Sequence, residues 1–267
     1  LFRSLVDCVI QGYIRNYGTG EVRFEAPQIT PESTATKPSD VYKPGTTLDR
    51  TLEYGGKSVP IYRDRPLNVF SDVDFIWTDE ENENRRRLEY LGGEFRTRYG
   101  IDVSSFQGEI DWDAVADDNI DFAMVRVGFR GTGTGSLNTD KYYEQNIRGA
   151  MRAGLETGVY FFAQAVTVEE AIEEADYVIS LLDGLDINGP VAYDWEMHDS
   201  TYRVYGTSPE MATACAVAFC ERIKDAGYTP MVYGGTYVTY MKYDQGALAD
   251  YLSWYPEYKS EKSEKDR

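Results

Sequence analysis

Histidine is all but absent from this sequence: one residue, His198, in 267. Cysteine is nearly as scarce, with three residues, Cys8, Cys215 and Cys220. Without a C-x-x-C pair or a second imidazole, neighbours in sequence assemble no zinc or dithiol site, and no metal or cofactor is expected. Cys215 and Cys220 stand five apart in a helical stretch, about 140° round its axis. They should not bond to each other and read as small buried hydrophobes. Cations are in deficit, 27 Lys and Arg against 45 Asp and Glu, a net charge of -18. That balance excludes an electrostatic nucleic-acid binder. No apolar run reaches the roughly 20 residues of a membrane span. The opening "LFRSLVDCVIQGYIRNYG" has no starting Met, no apolar secretion core and no small-residue cleavage site, so it is expected to lie inside a longer chain.

Apolar residues are plentiful, at 42% hydrophobic and 14% aromatic, enough for a large core. They are unevenly organised. Residues 1–97 read as an N-terminal extension: "APQITPESTATKPSDVYKPGTT" is linker-like, "SVPIYRDRPLNVF" holds a short strand, and "TDEENENRRRLEYLGG" predicts a charged helix stopped by glycines. From residue 98 to 267 the pattern is regular. Six apolar runs, "YGIDVS", "FAMVRVGF", "GVYFFAQA", "PVAYDWE", "TPMVYGG" and "LSWYPEY", predict strands. Helices are expected between them, over Lys141 to Gly154, from a Thr167/Glu170 capping box to Gly184, and from Ser208-Pro209-Glu210 to Gly227. Strands alternating with helices imply a parallel α/β sheet. The glycines of "GFRGTGTGSLN" lack a phosphate-loop lysine and read as a flexible loop beside the cleft.

Polar residues fall at strand ends. Asp194 and Glu196 in "AYDWEMHD" share one side of their strand, roughly 6.5 to 7 Å apart, with Trp195 on the other. Both sit at the C-terminal end, where α/β sheets and barrels place their chemistry. Asp102 occupies the same end of the first strand. Arg126 lies inside the second strand and reads as a structural counter-ion, since a buried charge needs an acid nearby. Tyr160, Phe162, Tyr233 and Trp254 complete an acidic pocket walled by aromatics. Such a pocket suits a sugar polymer: one carboxyl donates a proton to the leaving oxygen and another stabilises oxocarbenium-like charge. His198 follows in a loop and reads as a solvated bystander.

"YGIDVSSFQGEIDW", "FAMVRVGF", "AGLETGVYFFAQA", "PVAYDWE" and "AGYTPMVYGG", in this order, resemble the glycoside hydrolase family 25 lysozymes (muramidases) over residues 99 to 258. The resemblance implies an α/β fold, a modified TIM-like (β/α) barrel, carrying here an N-terminal extension. It implies hydrolysis of the β-1,4 bond between N-acetylmuramic acid and N-acetylglucosamine. The partners would be peptidoglycan glycan strands, met outside the cell or in the cell wall by a monomeric enzyme that spans no membrane. Glu196 would be the general acid, Asp194 would orient the acetamido group or stabilise positive charge, and Asp102 would help form the sugar site. The family pattern continues into a final strand with a further acid, whereas "LSWYPEY" is followed by "KSEKSEKDR", so the barrel is expected to lack its last strands. Two other readings stand beside this one. A wall-binding module derived from such an enzyme would keep the fold without the cleavage. A family 18-type chitinase also uses D-x-E, but Ala192 stands where it expects an Asp.

Overall fold

The structure, a computed structural model, describes residues 36–42, 48–54, 57–62, 75–78, 87–91 and 96–256. Within the extension lie a short helix, α1 (Pro38–Val41), and two antiparallel hairpins, β1 (Leu48–Tyr54) with β2 (Lys57–Tyr62) and β3 (Phe75–Thr78) with β4 (Arg87–Tyr90). The expected charged helix over "TDEENENRRRLEYLGG" is therefore corrected where the structure describes it: Arg87–Tyr90 is a strand, its residues paired with Phe75–Thr78. Cross-strand partners outweigh the weak helical preference of a four-residue segment. Among the described residues, the extension touches the rest of the chain through polar and apolar contacts. Arg87 donates to the Asp118 carbonyl and carboxylate, and the Thr36 amide and hydroxyl donate to Glu169 Oε1. Val41 and Tyr42 rest against the main core.

The remainder runs β5 (Gly100–Val103), α2 (Trp112–Asp117), β6 (Phe122–Arg130), β7 (Leu137–Thr139), α3 (Tyr143–Arg152), β8 (Glu156–Ala163), α4 (Val168–Leu181), β9 (Val191–Trp195), α5 (Pro209–Asp225), β10 (Pro230–Tyr233), α6 (Thr236–Met241), α7 (Gln245–Leu248) and β11 (Leu252–Trp254). All six expected strands form. They lie parallel in the order β5-β6-β8-β9-β10-β11, with β7 antiparallel on β6. Each parallel strand adds beside its predecessor and the order never reverses. A doubly wound sheet must reverse at its switch point, so this is the winding of a (β/α) barrel. Among the described residues the sheet is a partial barrel, with β5 and β11 at its edges.

The two faces differ. Val125, Val159, Phe161, Tyr193, Trp195 and Val232 belong to a large core beneath the helices, while Phe122, Met124, Ala192, Met231, Tyr233 and Trp254 form a smaller cluster on the concave face. Alternation along each strand produces this division. The helices are punctuated as expected, with small adjustments. Ser208 caps α5 through the Met211 amide, and Thr167 caps α4 through the Glu170 amide. The second half of the expected capping box is redirected, since the Glu170 carboxylate accepts from the Val166 amide and pairs with Arg203 instead. Gly149 on α3 leaves room for the Trp112 indole, which a Cβ would strike. Cys215 and Cys220 are buried and free, and Cys8 lies outside the described residues.

One buried network ties the strand ends together. Arg130, ending β6, donates to Glu174 Oε1 at 2.7 Å, to Glu173 at 2.7 Å, and to the carbonyls of Gly135 and Glu170. Glu174 Oε1 also accepts from the Gln164 amide just past β8. Arg203 adds a second clamp, donating to the Gln164 carbonyl and to both Glu170 oxygens. The glycine-rich segment after β6 is thus corrected from flexible loop to pinned hairpin: Gly131 and Ser136 pair, and the Arg203 amide donates to the Thr132 carbonyl. Burial pushes the Glu174 carboxyl up to about 7, against the opposite pull of the Gln164 amide and Arg130. The folded chain therefore binds this proton more tightly than the unfolded chain. Ionising Glu174 weakens the fold as pH rises from the ordinary carboxylate range through about 7, and the loss is complete above that. Thermal unfolding should show wild-type stability falling between about pH 5 and pH 8 by up to about 3 kcal/mol more than in Glu174→Gln. Parallel curves for the two proteins would remove Glu174 as the cause.

Candidate active site

The concave face gathers its acids through strand register. β9 is buried throughout, with Val191, Tyr193 and Trp195 toward the helices and Ala192 and Asp194 toward the concave side. Trp195 is anchored by its indole N–H, which donates to the Ala165 carbonyl at 3.0 Å. Asp194 stands in line with Phe162 on β8 and Tyr233 on β10, and Tyr233 with Trp254 on β11. Glu196 lies one residue past β9, and its main-chain carbonyl accepts from Gln164 Nε2 at 2.8 Å. Its carboxyl comes within hydrogen-bonding reach of Asp194.

The electrostatics follow from this crowding. Asp194 is only 6% exposed, and its Oδ1 has no hydrogen-bond partner among the described residues. Its carboxyl is pushed well above the carboxylate range by burial first, then by the charge of Glu196 and the hydrogen bond between them, with Asp102 adding further. Asp102 is also raised, by burial and then by Glu196, against a backbone hydrogen bond that lowers it. Tyr160 is raised by burial and then by the charges of Asp102 and Asp194. Asp102, Tyr160, Asp194 and Glu196 thus act on one another from three strands.

Arg126 does not pair with Asp102. Its guanidinium binds Asp140 Oδ2 at 2.8 Å, donates to the Ser105 hydroxyl, and lies between the Phe106 and Phe129 rings. Asp140, fully buried, also accepts from the Ser105 and Tyr142 amides, tying the turn after β5 to the start of α3. Of the four aromatics, Tyr160, Tyr233 and Trp254 form an edge-to-face cluster, with centroids 5.9 Å apart for Tyr160–Trp254 and 5.1 Å for Tyr233–Trp254. Tyr233 and Trp254 are buried, so they brace the wall more than they present a surface. Phe162 and Tyr160 are half-buried.

Sequence reading missed several residues. Phe106 is 86% exposed at the end of β5, in a short 3-10 turn (Ser105–Gln107) capped by Ser104 and Gln107. Its place in "DVSSFQG", directly after a strand-end acid, was the available signal. Gln164 and Glu174 carried none, because one is a strand-end amide and the other an unremarkable helix acid. The reading of His198 as a bystander is corrected: its Nε2 lies 2.8 Å from Glu196 Oε2. Two residues separate them in sequence, but only the turn after β9 brings them face to face.

A crowded carboxyl pair beside a third acid favours the protonated form of its buried member, Asp194. Similar chains are known. The autolytic lysozyme of Clostridium acetobutylicum is 26% identical over 160 residues, covering 60% of this chain and 44% of that protein. Lysozyme M1 of Streptomyces globisporus is 30% identical over 112 residues, covering 41% of this chain and 36% of that protein. This chain therefore spans less than half the length of those two relatives. Among solved structures, a family 25 glycosyl hydrolase from Bacillus anthracis aligns with a TM-score of 0.45 at 22% identity, covering 60% of this chain and 70% of that one. The spore cortex lytic enzyme SleM of Clostridium perfringens aligns with a TM-score of 0.49 at 21% identity, covering 58% and 51%. The family model for glycosyl hydrolases family 25 matches residues 101–267, well over half of the sequence, and the chain belongs to that family.

Proposed function

We propose that this chain is a peptidoglycan hydrolase that cleaves the β-1,4 bond between N-acetylmuramic acid and N-acetylglucosamine, with Glu196 as the general acid. The observation that carries the reading is the Asp194–Glu196 pair: two carboxyls in hydrogen-bonding reach, one desolvated and with a free acceptor oxygen. Family membership and the lysozyme relatives support the same reading.

The pair retains one proton that belongs to both groups. Asp194, the more deeply buried, holds it tightly in the free chain. Its unpartnered Oδ1 is an acceptor that an acetamido N–H of the substrate would satisfy. That hydrogen bond favours the Asp194 carboxylate and moves the proton toward Glu196, the more exposed member, which delivers it to the glycosidic oxygen. Asp194 and Asp102 then supply negative charge beside the oxocarbenium-like centre, and water completes the cleavage by bonding to the anomeric carbon and giving its proton back to the carboxylates. Tyr160 and Phe162 face the sugar rings, and Tyr233 and Trp254 back them. Glycan strands of the wall would be met outside the cell or in the wall itself, by a monomer.

Glu196→Gln preserves shape and removes the proton donor. Turbidity loss of a purified cell-wall suspension should slow by about 10² to 10⁴-fold, with new N-acetylmuramic acid reducing ends disappearing from the mass spectrum. Equal clearing by both proteins defeats Glu196 as the general acid, no clearing by the wild type defeats the hydrolase reading, and retained pelleting with walls but no clearing by either supports a binding module. Asp194→Asn separates function from folding. Because burial makes the ionised Asp194 costly, the neutral amide should leave the melting temperature at pH 7.5 unchanged or higher while hydrolysis drops at least about tenfold. A variant that is less stable and fully active contradicts both roles.

A further inference from the structure

We propose that His198 is a positioning residue that governs the protonation of Glu196, and through it the pH range over which this active site works. The inference rests on the reading of Glu196 as the general acid. Its basis is geometric. The only imidazole in the chain lies 2.8 Å from Glu196 Oε2, and it is 63% exposed where Glu196 is 23% exposed. It thus stands between the acid and solvent.

The loop that carries His198 is built rather than loose. Asp199 Oδ1 accepts from the Thr201 amide and hydroxyl, closing a turn directly after the histidine. The Tyr202 ring meets the imidazole edge-on at 5.3 Å. Arg203 then clamps the loop to Gln164 and Glu170. The charged and titratable groups acting on the imidazole are Glu196, Asp199 and Tyr202. Those acting on Glu196 are His198, Asp194, Asp102 and Tyr202.

The chemistry has two states. A protonated imidazole pairs with the Glu196 carboxylate and stabilises it, which keeps the acid empty of its proton. A neutral imidazole offers Nε2 as an acceptor, and the carboxyl keeps its proton as an O–H donor. Asp102 and Asp194 are like charges beside Glu196 when ionised, and a protonated His198 is an opposite one at 2.8 Å. A cation beside the acid therefore sets the upper end of the active range lower than the carboxylate cluster alone would.

The test uses the full chain and two readouts. The single imidazole gives one Cε1–H proton signal, and its titration should fall by about half a unit or more in Glu196→Gln, which removes the partner charge. The alkaline limb of kcat/KM for wall hydrolysis should move up by about half to one pH unit in His198→Gln, and stay at or below the wild-type position in His198→Lys, which keeps a cation. A purely structural role would change the height of the profile without moving its limb. An imidazole titration indifferent to Glu196→Gln overturns the proposal, and so does a limb that stays put in both histidine variants. Failure of the hydrolase reading looks different: the wild-type chain clears no wall suspension at any pH, while the imidazole signal still decides whether the pair exists.

Discussion

The mouth of this partial barrel hangs on a guanidinium buried against a buried carboxylate, Arg130 with Glu174. The pair joins three elements. Arg130 closes β6, Glu174 comes from the middle of α4, and the Gln164 amide it receives lies just past β8. Gln164 then reaches across to the Glu196 carbonyl. The position of the β9 end is therefore set by hydrogen bonds that begin two strands away. An isolated pair of this kind is costly to desolvate. Here the guanidinium has four partners, and the surrounding core, with Trp195, Tyr193, Phe161 and Phe219 fully buried, contributes about 1.5 to 3 kcal/mol for each large side chain. Among the described residues, Glu174 Oε2 and Gln164 Oε1 have no hydrogen-bond partner.

The same economy of placement governs β9. Its alternation gives one side chain to the helices and the next to the concave face, so Tyr193 and Trp195 fix the strand while Asp194 is delivered to the site. A slip of one residue would bury Trp195 in the pocket and point Asp194 into the helices. The indole hydrogen bond to Ala165 opposes that slip at the point nearest the chemistry. Packing and catalysis are thus read from alternate letters of one five-residue strand.

Most of this architecture was legible because it depends on periodicity. Six strands, three long helices and the shared face of Asp194 with its aromatic neighbours follow from alternation and from capping residues, and all are local signals. The resemblance carried by "GIDVSSFQG" and "PVAYDWE" then pointed to the barrel. What was illegible depends on long-range partners. Arg126 reads as a counter-ion from its buried strand position, but only the fold shows that Asp140 is its acid. Gln164 and Glu174 gain meaning from residues 32 and 10 positions away. His198 was misjudged for the opposite reason. It is a near neighbour of Glu196, but its orientation depends on a turn fixed by Asp199 and Arg203. "RLEY" in the extension likewise took its form from a partner strand, not from its own propensity.

Arg126 shows why the long-range partners matter to the chemistry. It is a cation on the strand next to Asp102, one strand from Tyr160, and the obvious candidate to neutralise the acids. Were it to pair with Asp102 or Asp194, their carboxyls would lose proton affinity. Asp140 prevents this by taking the guanidinium at 2.8 Å, while Phe106 and Phe129 hold its faces. What reaches Asp194 is the weakest of the named influences on it. The concave face is left short of positive charge, so burial and mutual repulsion keep a proton among its acids. With Arg126 held by Asp140, the acids of the concave face are left to burial and to one another, and His198 Nε2 stands 2.8 Å from Glu196 Oε2.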